Sequence, residues 1–117
     1  MNRLEQLELI VKTIDDKKGE NINIIDMRNV ASLASYYVIC SVNSERQASA
    51  IAHTIEKELI QNNLPYNHTE GKRGDSKWIL VDAEEVLIHI FESNEREVYN
   101  LDLLWGDQPK LNLKDYI

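Results

Sequence analysis

Three acidic side chains stand close together in the middle of the most apolar part of the chain. Asp82, Glu84 and Glu85 lie in one four-residue segment between two apolar runs. Clustered carboxylates are the ligands that Mg²⁺ and Ca²⁺ take from proteins, so this segment could recruit a divalent cation. A turn between two strands also carries acidic residues simply because charged side chains stay in water. We expect a solvated turn of this kind and predict no metal site here.

The other residues with reactive side chains are one cysteine and three histidines. A thiol beside an imidazole can act as a nucleophile, and clustered histidines can bind a transition metal. Cys40, however, lies within the apolar run "YYVIC", which predicts a buried thiol. His53 is predicted to be solvated, His68 to lie near a loop and His89 to pack on Trp78, so the three imidazoles do not form one site. The four glycines lack the spacing of a phosphate-binding loop, and we predict neither a catalytic site nor a cofactor.

The segment "KWILVDAEEVLIHIF" at 77–91 predicts a β-hairpin with two chemically different faces. We place its turn at Ala83–Glu84, which sets Asp82 opposite Glu85 and Trp78 opposite His89. Side chains alternate across a sheet, so each strand divides between the two faces. One face receives only aliphatic residues: Ile79, Val81, Val86, Ile88 and Ile90. The opposite face receives Trp78, Leu80, Leu87, His89 and Phe91, with Asp82 and Glu85 at the turn.

The aromatic face of this hairpin is the candidate binding surface. The few amphipathic helices in the chain are needed to cover the aliphatic face, which leaves the aromatic face open. Large aromatic side chains are enriched in the cores of protein interfaces, and an exposed apolar patch of this kind usually marks a partner. In the alternative arrangement, the C-terminal segment with Tyr99 and Trp105 folds over this face and completes a core. The sequence leaves this choice open.

The hydrophobic periodicity predicts the elements that would hold this hairpin. Apolar residues at helical spacing indicate a helix over 3–18 that ends at Gly19. Ser44 followed by Gln47 has the pattern of a capping box, which predicts a second helix that ends before Pro65. The other predicted elements are strands at 22–27, 36–42, 77–82 and 85–91, a strand end at 66–69, a loop at 71–74 and one or two short helices ending at Gly106. The strand at 36–42 is apolar throughout, which predicts burial on both faces, and the whole order predicts one mixed α/β sheet packed with helices.

The composition is typical of one globular domain in the cytoplasm. With 117 residues, 43% of them hydrophobic and 28% charged, the chain can bury a single core; we assign residues 1–109 to it and 110–117 to a C-terminal tail. The formal net charge of −7 argues against direct binding of nucleic acid and suits a basic protein partner. The N-terminus is too polar for a signal peptide and no apolar run is long enough to span a membrane, so we expect no membrane association.

Five sequence pieces occur in order within "YYVICSVNSERQ", "EGKRGDSKWILVDAEEVLIHIF" and "EREVYNLDLLWGD". Together they resemble the ribosomal silencing factor family, also called the Iojap-related proteins, and the resemblance runs from about residue 3 to Pro109. The departures fall at strand ends and at a turn. Ser35 stands where the family commonly has an acid, Val42 where it has a glycine, and Ala83 near a usual glycine. These changes affect little of what the resemblance implies.

The resemblance implies a single-domain α/β fold related to nucleotidyltransferases but without their catalytic carboxylates and glycine-serine motif. It also implies a translational repressor that is not an enzyme. Such proteins bind the large ribosomal subunit through large-subunit ribosomal protein fourteen, block joining of the small subunit and so lower translation when nutrients run short. Family members often form homodimers, and we expect a homodimer here without sequence-specific contacts to nucleic acid.

Mapped by motif onto this chain, the resemblance locates the partner-binding surface on the aromatic face. The expected surface consists of the anchors Trp78 and Leu80, the adjoining His89 and Phe91, the polar rim of Glu70 and Asp82, and the supporting Arg96 and Tyr99. Trp105 is expected to pack internally on the same stripe as Val98 and Leu101.

Two other functions remain open from the residues alone. One is a homodimeric adaptor that uses the Trp78 face for self-association. The other is a residual nucleotidyltransferase-type enzyme that uses Asp82 with Glu84 or Glu85 and a divalent ion, although the missing glycine-serine loop argues against it.

Overall fold

The computed structural model describes residues 3–30, 34–71 and 77–117. The helices are α1 (Arg3–Asp16), α2 (Glu45–Gln61), α3 (Ser93–Tyr99) and α4 (Leu101–Leu104), followed by a 3₁₀ turn at Leu113–Asp115. The strands are β1 (Glu20–Asp26), β2 (Tyr36–Val42), β3 (His68–Glu70), β4 (Trp78–Asp82) and β5 (Val86–Glu92). Of the loop predicted at 71–74, only Gly71 is among the described residues. No helix in these ranges is long and apolar enough to cross a membrane.

The strands form one mixed sheet in the order β1-β2-β5-β4-β3. β2 and β5 run parallel at its centre, while the neighbouring pairs β1–β2, β4–β5 and β3–β4 are antiparallel. The chain crosses from β2 to β5 by way of α2, β3 and β4. Parallel neighbours require a long crossover of this type. The predicted mixed α/β sheet is therefore confirmed.

One face of the sheet, called the first face below, is sealed by α1 and α2. α1 contributes Leu7, Ile10, Val11 and Ile14, and α2 contributes the predicted stripe Ala48, Ile51, Ala52, Ile55 and Leu59, all of them buried. The strands meet these helices with aliphatic side chains that include Val38, Val86 and Ile88. At roughly 25 cal/mol per Å² of apolar surface, this packing is the main stabilising term of the fold.

The start of α2 shows a variant of the predicted capping box. The Ser44 hydroxyl accepts a hydrogen bond from the Gln47 amide at 3.1 Å, as predicted. The reciprocal bond is donated by the backbone amide of Asn43, and not by that of Ser44, to Oε1 of Gln47 at 2.9 Å. Nε2 of the Gln47 side chain also donates to the carbonyl of Lys18, so this side chain connects the start of α2 to the segment that follows α1.

The predicted pairing of the β4–β5 hairpin is wrong by two residues. Trp78 lies opposite Phe91, Leu80 opposite His89 and Asp82 opposite Leu87. Four residues therefore separate the last paired positions, and one of them, Ala83, is buried and accepts a hydrogen bond at 2.7 Å from the side-chain amide of Gln6 on α1.

A two-residue slip exchanges the cross-strand partners but leaves every side chain on its original face. The predicted division into an aliphatic and an aromatic face is therefore confirmed, although each predicted pair is not. The same connection places Glu84 at a φ of 68°, in the left-handed region that L residues rarely adopt.

The segment after Pro109 lies against the open edge of β1. The Asp26 amide donates to the Pro109 carbonyl at 2.8 Å, and the Leu111 amide donates to the Ile24 carbonyl at 2.9 Å. Leu111, Leu113 and Tyr116 then pack against the first-face core. An unpaired edge strand invites pairing with other chains, and this segment occupies the edge of β1.

We expect Leu111→Ala to lower the free energy of unfolding by about 1–2 kcal/mol, because it removes part of a packed side chain and loosens the segment on the β1 edge. Urea unfolding followed by circular dichroism measures this loss. Ile117→Ala is the matched control, since Ile117 is exposed and should change stability little. Equal, near-zero effects of both variants would mean that residues 110–117 add nothing to the fold.

Candidate partner-binding surface

The face of the sheet remote from α1 and α2, called the second face below, carries the predicted site residues in ordered rows. His89 lies between Ile39 on β2 and Leu80 on β4. In the next row Phe91 lies between Ser41 and Trp78. Leu80 in turn pairs with Glu70 on the edge strand β3. The sheet thus brings Trp78, Leu80, His89, Phe91 and Glu70 onto one continuous surface, together with Asp82.

α3 and α4 cover one end of the second face, so the prediction that this face stays open is only partly correct. Leu101 and Trp105 pack against Ile25, Met27, Ile39 and Phe91, which are fully buried. Phe91 therefore supports the surface from below, and His89, which is 5% exposed, does the same. Trp78 and Leu80 are half-buried and keep part of their surface in solvent.

An aromatic cluster joins the covered and the open ends of this face. The indole of Trp78 stacks on Phe91 at a centroid distance of 5.0 Å and contacts the ring of Tyr99 at 4.6 Å. Tyr37 lies 4.9 Å from the His89 ring and meets Trp105 edge-on at 6.3 Å. Such pairs add about 0.5–1.5 kcal/mol each beyond their buried area, so the cluster is stiff as well as apolar.

Arg96 holds α3 and α4 against the sheet. Its guanidinium forms two bonds with the Asp102 carboxylate, at 3.0 and 2.9 Å, and donates to the Asn21 carbonyl and the Ser41 hydroxyl. Asn23 donates a further bond to Asp102 at 2.8 Å. The bond from Arg96 lowers the pKa of Asp102 despite partial burial, so this ion pair persists at neutral pH. Arg96 thus supports the surface from inside the molecule, because its N–H groups donate hydrogen bonds within the protein.

His89 is held as a neutral imidazole. Burial lowers its pKa from the usual 6.5 to about 4. Its Nδ1 atom accepts a hydrogen bond from the Trp78 indole at 3.2 Å. Because a Trp Nε1–H can only donate, Nδ1 must be unprotonated and the proton must sit on Nε2. Within the described ranges, Nε2 is buried without a hydrogen-bond partner.

The rim beside Leu80 is acidic. Nε2 of His68 lies 2.9 Å from a carboxylate oxygen of Glu70, and Nδ1 of the same ring lies 3.7 Å from Asp82. Asp82 also accepts a bond from the Glu84 amide at 2.9 Å, and Glu85 accepts one from the Ser35 hydroxyl. The carboxylates of Asp82 and Glu85 therefore accept hydrogen bonds from different groups. Among the described residues, no group of three or more His, Cys, Asp or Glu side chains is arranged to hold a metal ion.

Cys40 and His53 have the environments that the sequence predicts. Cys40 is buried, which raises the pKa of its thiol to about 12 and keeps it protonated. A protonated thiol is a poor nucleophile, so the geometry gives no support to cysteine chemistry. The side chain of His53 is exposed on α2 and lies far from the second face.

Several contributors to the surface are not identifiable from the sequence. Tyr37 reaches the second face because β2 pairs in parallel with β5, and the pairing of two distant strands leaves no local signal.

The short helices α3 and α4 also expose three large apolar side chains, those of Val98, Leu103 and Leu104. Trp105 packs as expected, but the predicted stripe with Val98 is wrong, since Asn100 at a φ of 47° breaks the helix between them.

The buried His89 makes stability depend on pH. Its folded-state pKa lies below the unfolded value, so between about pH 6.5 and pH 4 the unfolded chain binds more protons. Stability is therefore complete above this window and falls as the pH drops through it. We expect a loss of about 2 kcal/mol between about pH 7.5 and pH 5, measured by urea unfolding.

Replacing His89 by Leu should remove this loss, whereas His53→Ala, at an exposed position, should retain it. A wild-type protein equally stable at both pH values would contradict the assignment of a buried neutral imidazole.

Comparison with known proteins gives the family. The family model described as "Ribosomal silencing factor during starvation" matches residues 1–117. Ribosomal silencing factor RsfS from Halalkalibacterium halodurans is 37% identical over 117 residues, covering 100% of this chain and 99% of that protein. The protein of the same name from Bacillus subtilis is 37% identical over 113 residues, covering 97% and 95%.

The fold is also found in a solved structure. The crystal structure of a protein from Chromobacterium violaceum superposes with a TM-score of 0.86 at 28% identity, covering 93% of this chain and 90% of that one. A family model that spans the whole chain, close relatives of the same length and a matching fold agree. The chain belongs to the ribosomal silencing factor family.

Proposed function

We propose that this protein represses translation by occupying the large ribosomal subunit. It binds through large-subunit ribosomal protein fourteen and blocks association with the small subunit when nutrients are limiting. It acts in the cytoplasm by steric exclusion and catalyses no reaction. The observation that carries the proposal is the partly exposed Trp78–Leu80 patch on the second face, edged by acids, in a chain that belongs to this family.

The chemistry of the patch suits a basic protein partner. Trp78 and Leu80 offer apolar surface that a binding partner would bury, and aromatic anchors of this type carry much of the energy in interfaces. Glu70 and Asp82 beside them place negative charge at the rim, and the chain has a net charge of −7. Complementary charge steers encounter and selects the partner, while the apolar centre slows dissociation.

The rigidity of the patch also supports this function. Both anchors lie on β4, which pairs with β5 over its whole length and with β3 over residues 80–82. Phe91 and His89 fill the space beneath them. A surface held in this way loses little conformational entropy on binding, which favours docking of a second rigid body.

We expect Leu80→Glu to weaken binding to purified large subunits roughly 10-fold or more, because it puts a charge into the centre of the docking patch. Sucrose-gradient sedimentation measures both the bound fraction and the share of subunits kept apart. Ile60→Glu is the matched control: Ile60 is 60% exposed on α2, on the other side of the molecule. Leu80 is a cleaner test than Trp78, whose loss would also disturb stacking on Phe91.

The same gradients at about 50 and 300 mM salt separate the two parts of the contact. Binding should weaken with salt because the acidic rim contributes, but a fraction should persist because the apolar centre does not depend on charge. If Leu80→Glu keeps subunits apart at wild-type concentrations, the second face is not the docking surface.

We propose in addition that the protein forms a homodimer through α3 and α4. Val98, Leu103 and Leu104 are large apolar side chains exposed on these short helices. Water-exposed leucines grouped in this way favour burial against another protein. A second copy of the chain is the occupant we propose, because a self-complementary apolar patch closes a two-fold dimer.

We expect wild-type protein to sediment as a dimer and Leu103→Glu as a monomer in analytical ultracentrifugation, since Leu103 is 74% exposed and its change should spare the fold. Ile60→Glu again serves as the control and should remain dimeric. Leu80→Glu decides between surfaces: a monomer from this variant instead of from Leu103→Glu would assign the self-interface to the Trp78 face.

A further inference from the structure

The Trp78 indole is the largest anchor of the second face, and its only polar atom is bonded inside the molecule. Nε1 of Trp78 donates to Nδ1 of His89 at 3.2 Å. The two residues are not direct cross-strand partners, because Trp78 pairs with Phe91 and His89 pairs with Leu80. The bond therefore runs diagonally across the β4–β5 pair and fixes the direction in which the indole lies.

The other contacts of the indole do not fix its direction. Trp78 stacks on Phe91 with an angle of 27° between the rings and contacts Tyr99 at 47°. Aromatic stacking tolerates sliding and tilting of the rings over a range of offsets, so it confines the indole without choosing one orientation. A hydrogen bond weakens steeply when its angle changes, and it supplies the missing directionality.

For stability alone, histidine is a poor choice at this position. His89 is 5% exposed, and its Nε2 atom finds no hydrogen-bond partner in the described part of the chain. A buried unsatisfied donor costs about 1–3 kcal/mol, whereas an apolar side chain of similar size would pack there without that cost. The residues around it include Ile39, Leu80 and the Tyr37 ring, which would suit such a side chain.

We propose that His89 is a positioning residue for docking: its Nδ1 atom holds the Trp78 indole in the orientation in which it meets the partner. The inference rests on the proposed ribosome-binding function. His89 itself does not touch the partner. It lowers the cost of binding by ordering the anchor beforehand, which is how preorganised interfaces gain affinity.

The test compares His89→Leu with His89→Asn. Leucine fills the site but has no acceptor, whereas the amide oxygen of asparagine occupies nearly the place of Nδ1 and can accept the indole bond. Both variants are made in a Trp105→Phe background, so that Trp78 is the only tryptophan. Time-resolved fluorescence anisotropy then reports the mobility of the indole, and chemical unfolding reports stability.

We expect the leucine variant to be at least as stable as wild type at neutral pH, yet to show a mobile indole and roughly 3- to 10-fold weaker binding to large subunits, the equivalent of one lost hydrogen bond. The asparagine variant should restore most of the indole order and of the affinity. A leucine variant whose indole stays as immobile as in wild type, with unchanged affinity, would overturn the proposal. A loss of affinity that asparagine does not rescue would also overturn it.

A measurement on the wild-type protein keeps the proposal decidable if the leucine variant does not fold. Long-range ¹H–¹⁵N correlation spectra of the histidine rings distinguish a protonated from an unprotonated Nδ1 atom. We expect Nδ1 of His89 to be unprotonated and the Trp78 indole proton to exchange slowly with solvent. A protonated Nδ1 or a freely exchanging indole proton would contradict the bond on which the proposal depends.

The two levels of the proposal fail in different ways. If wild-type protein does not bind large subunits, the proposed function is wrong, while the anisotropy and the histidine spectra still decide whether His89 orients Trp78. If wild type binds and the His89 variants bind equally well, the function stands and the positioning role falls.

Discussion

The central strand β5 must find internal partners for the side chains on both of its faces, because it lies between β2 and β4 in the middle of the sheet. On the first face this requirement is met by aliphatic packing under α1 and α2. On the second face β5 presents Leu87, His89 and Phe91, and only the short α3 and α4 cover part of them. Side chains of the neighbouring strands complete the burial. Trp78 therefore has two roles, since it covers Phe91 and His89 and also offers its outer surface to solvent.

The extent of the open surface is set by the ion pair between Arg96 and Asp102. Arg96 connects α3 to β1 and β2, and Asp102 connects α4 to β1 through Asn23. These bonds hold α3 and α4 over one end of the second face, where Leu101 and Trp105 bury Ile25 and Ile39. The opposite end, towards β3 and β4, retains the partly exposed Trp78 and Leu80. The ion pair and its hydrogen bonds thus determine how much of the apolar second face is exposed.

Binding without chemistry is consistent with the state of the titratable groups. The one thiol is protonated, the one buried imidazole is neutral, and Asp82 and Glu85 accept hydrogen bonds from different groups. What the second face offers instead is a stiff apolar patch with charge at its edge, and such a surface is suited to occupying a site on another macromolecule.

Much of this architecture was predictable because alternation along a strand is a local property. The two faces of β4 and β5, the stripe of α2 and the Ser44 cap follow from residues within a few positions of one another. The resemblance, mapped onto the same local motif, nominates Trp78 and Leu80 as anchors, and that assignment stays a prediction. His89 was correctly expected against Trp78, but its burial depends also on Tyr37 and Ile39, from a strand that lies far away in the sequence.

By itself, the sequence determined the helices and strands and the separation of aliphatic from aromatic faces. Only the tertiary structure decided the hairpin register, the packing of Leu101 and Trp105 over Phe91 and the position of the C-terminal segment on the edge of β1. The connection of the hairpin accepts a bond from Gln6, the helices that cover Phe91 are held by the bond from Arg96 to Asn21, and the C-terminal segment pairs with the edge of β1. Each of these contacts joins residues that are distant along the chain, and a local pattern carries no information about which distant groups will meet.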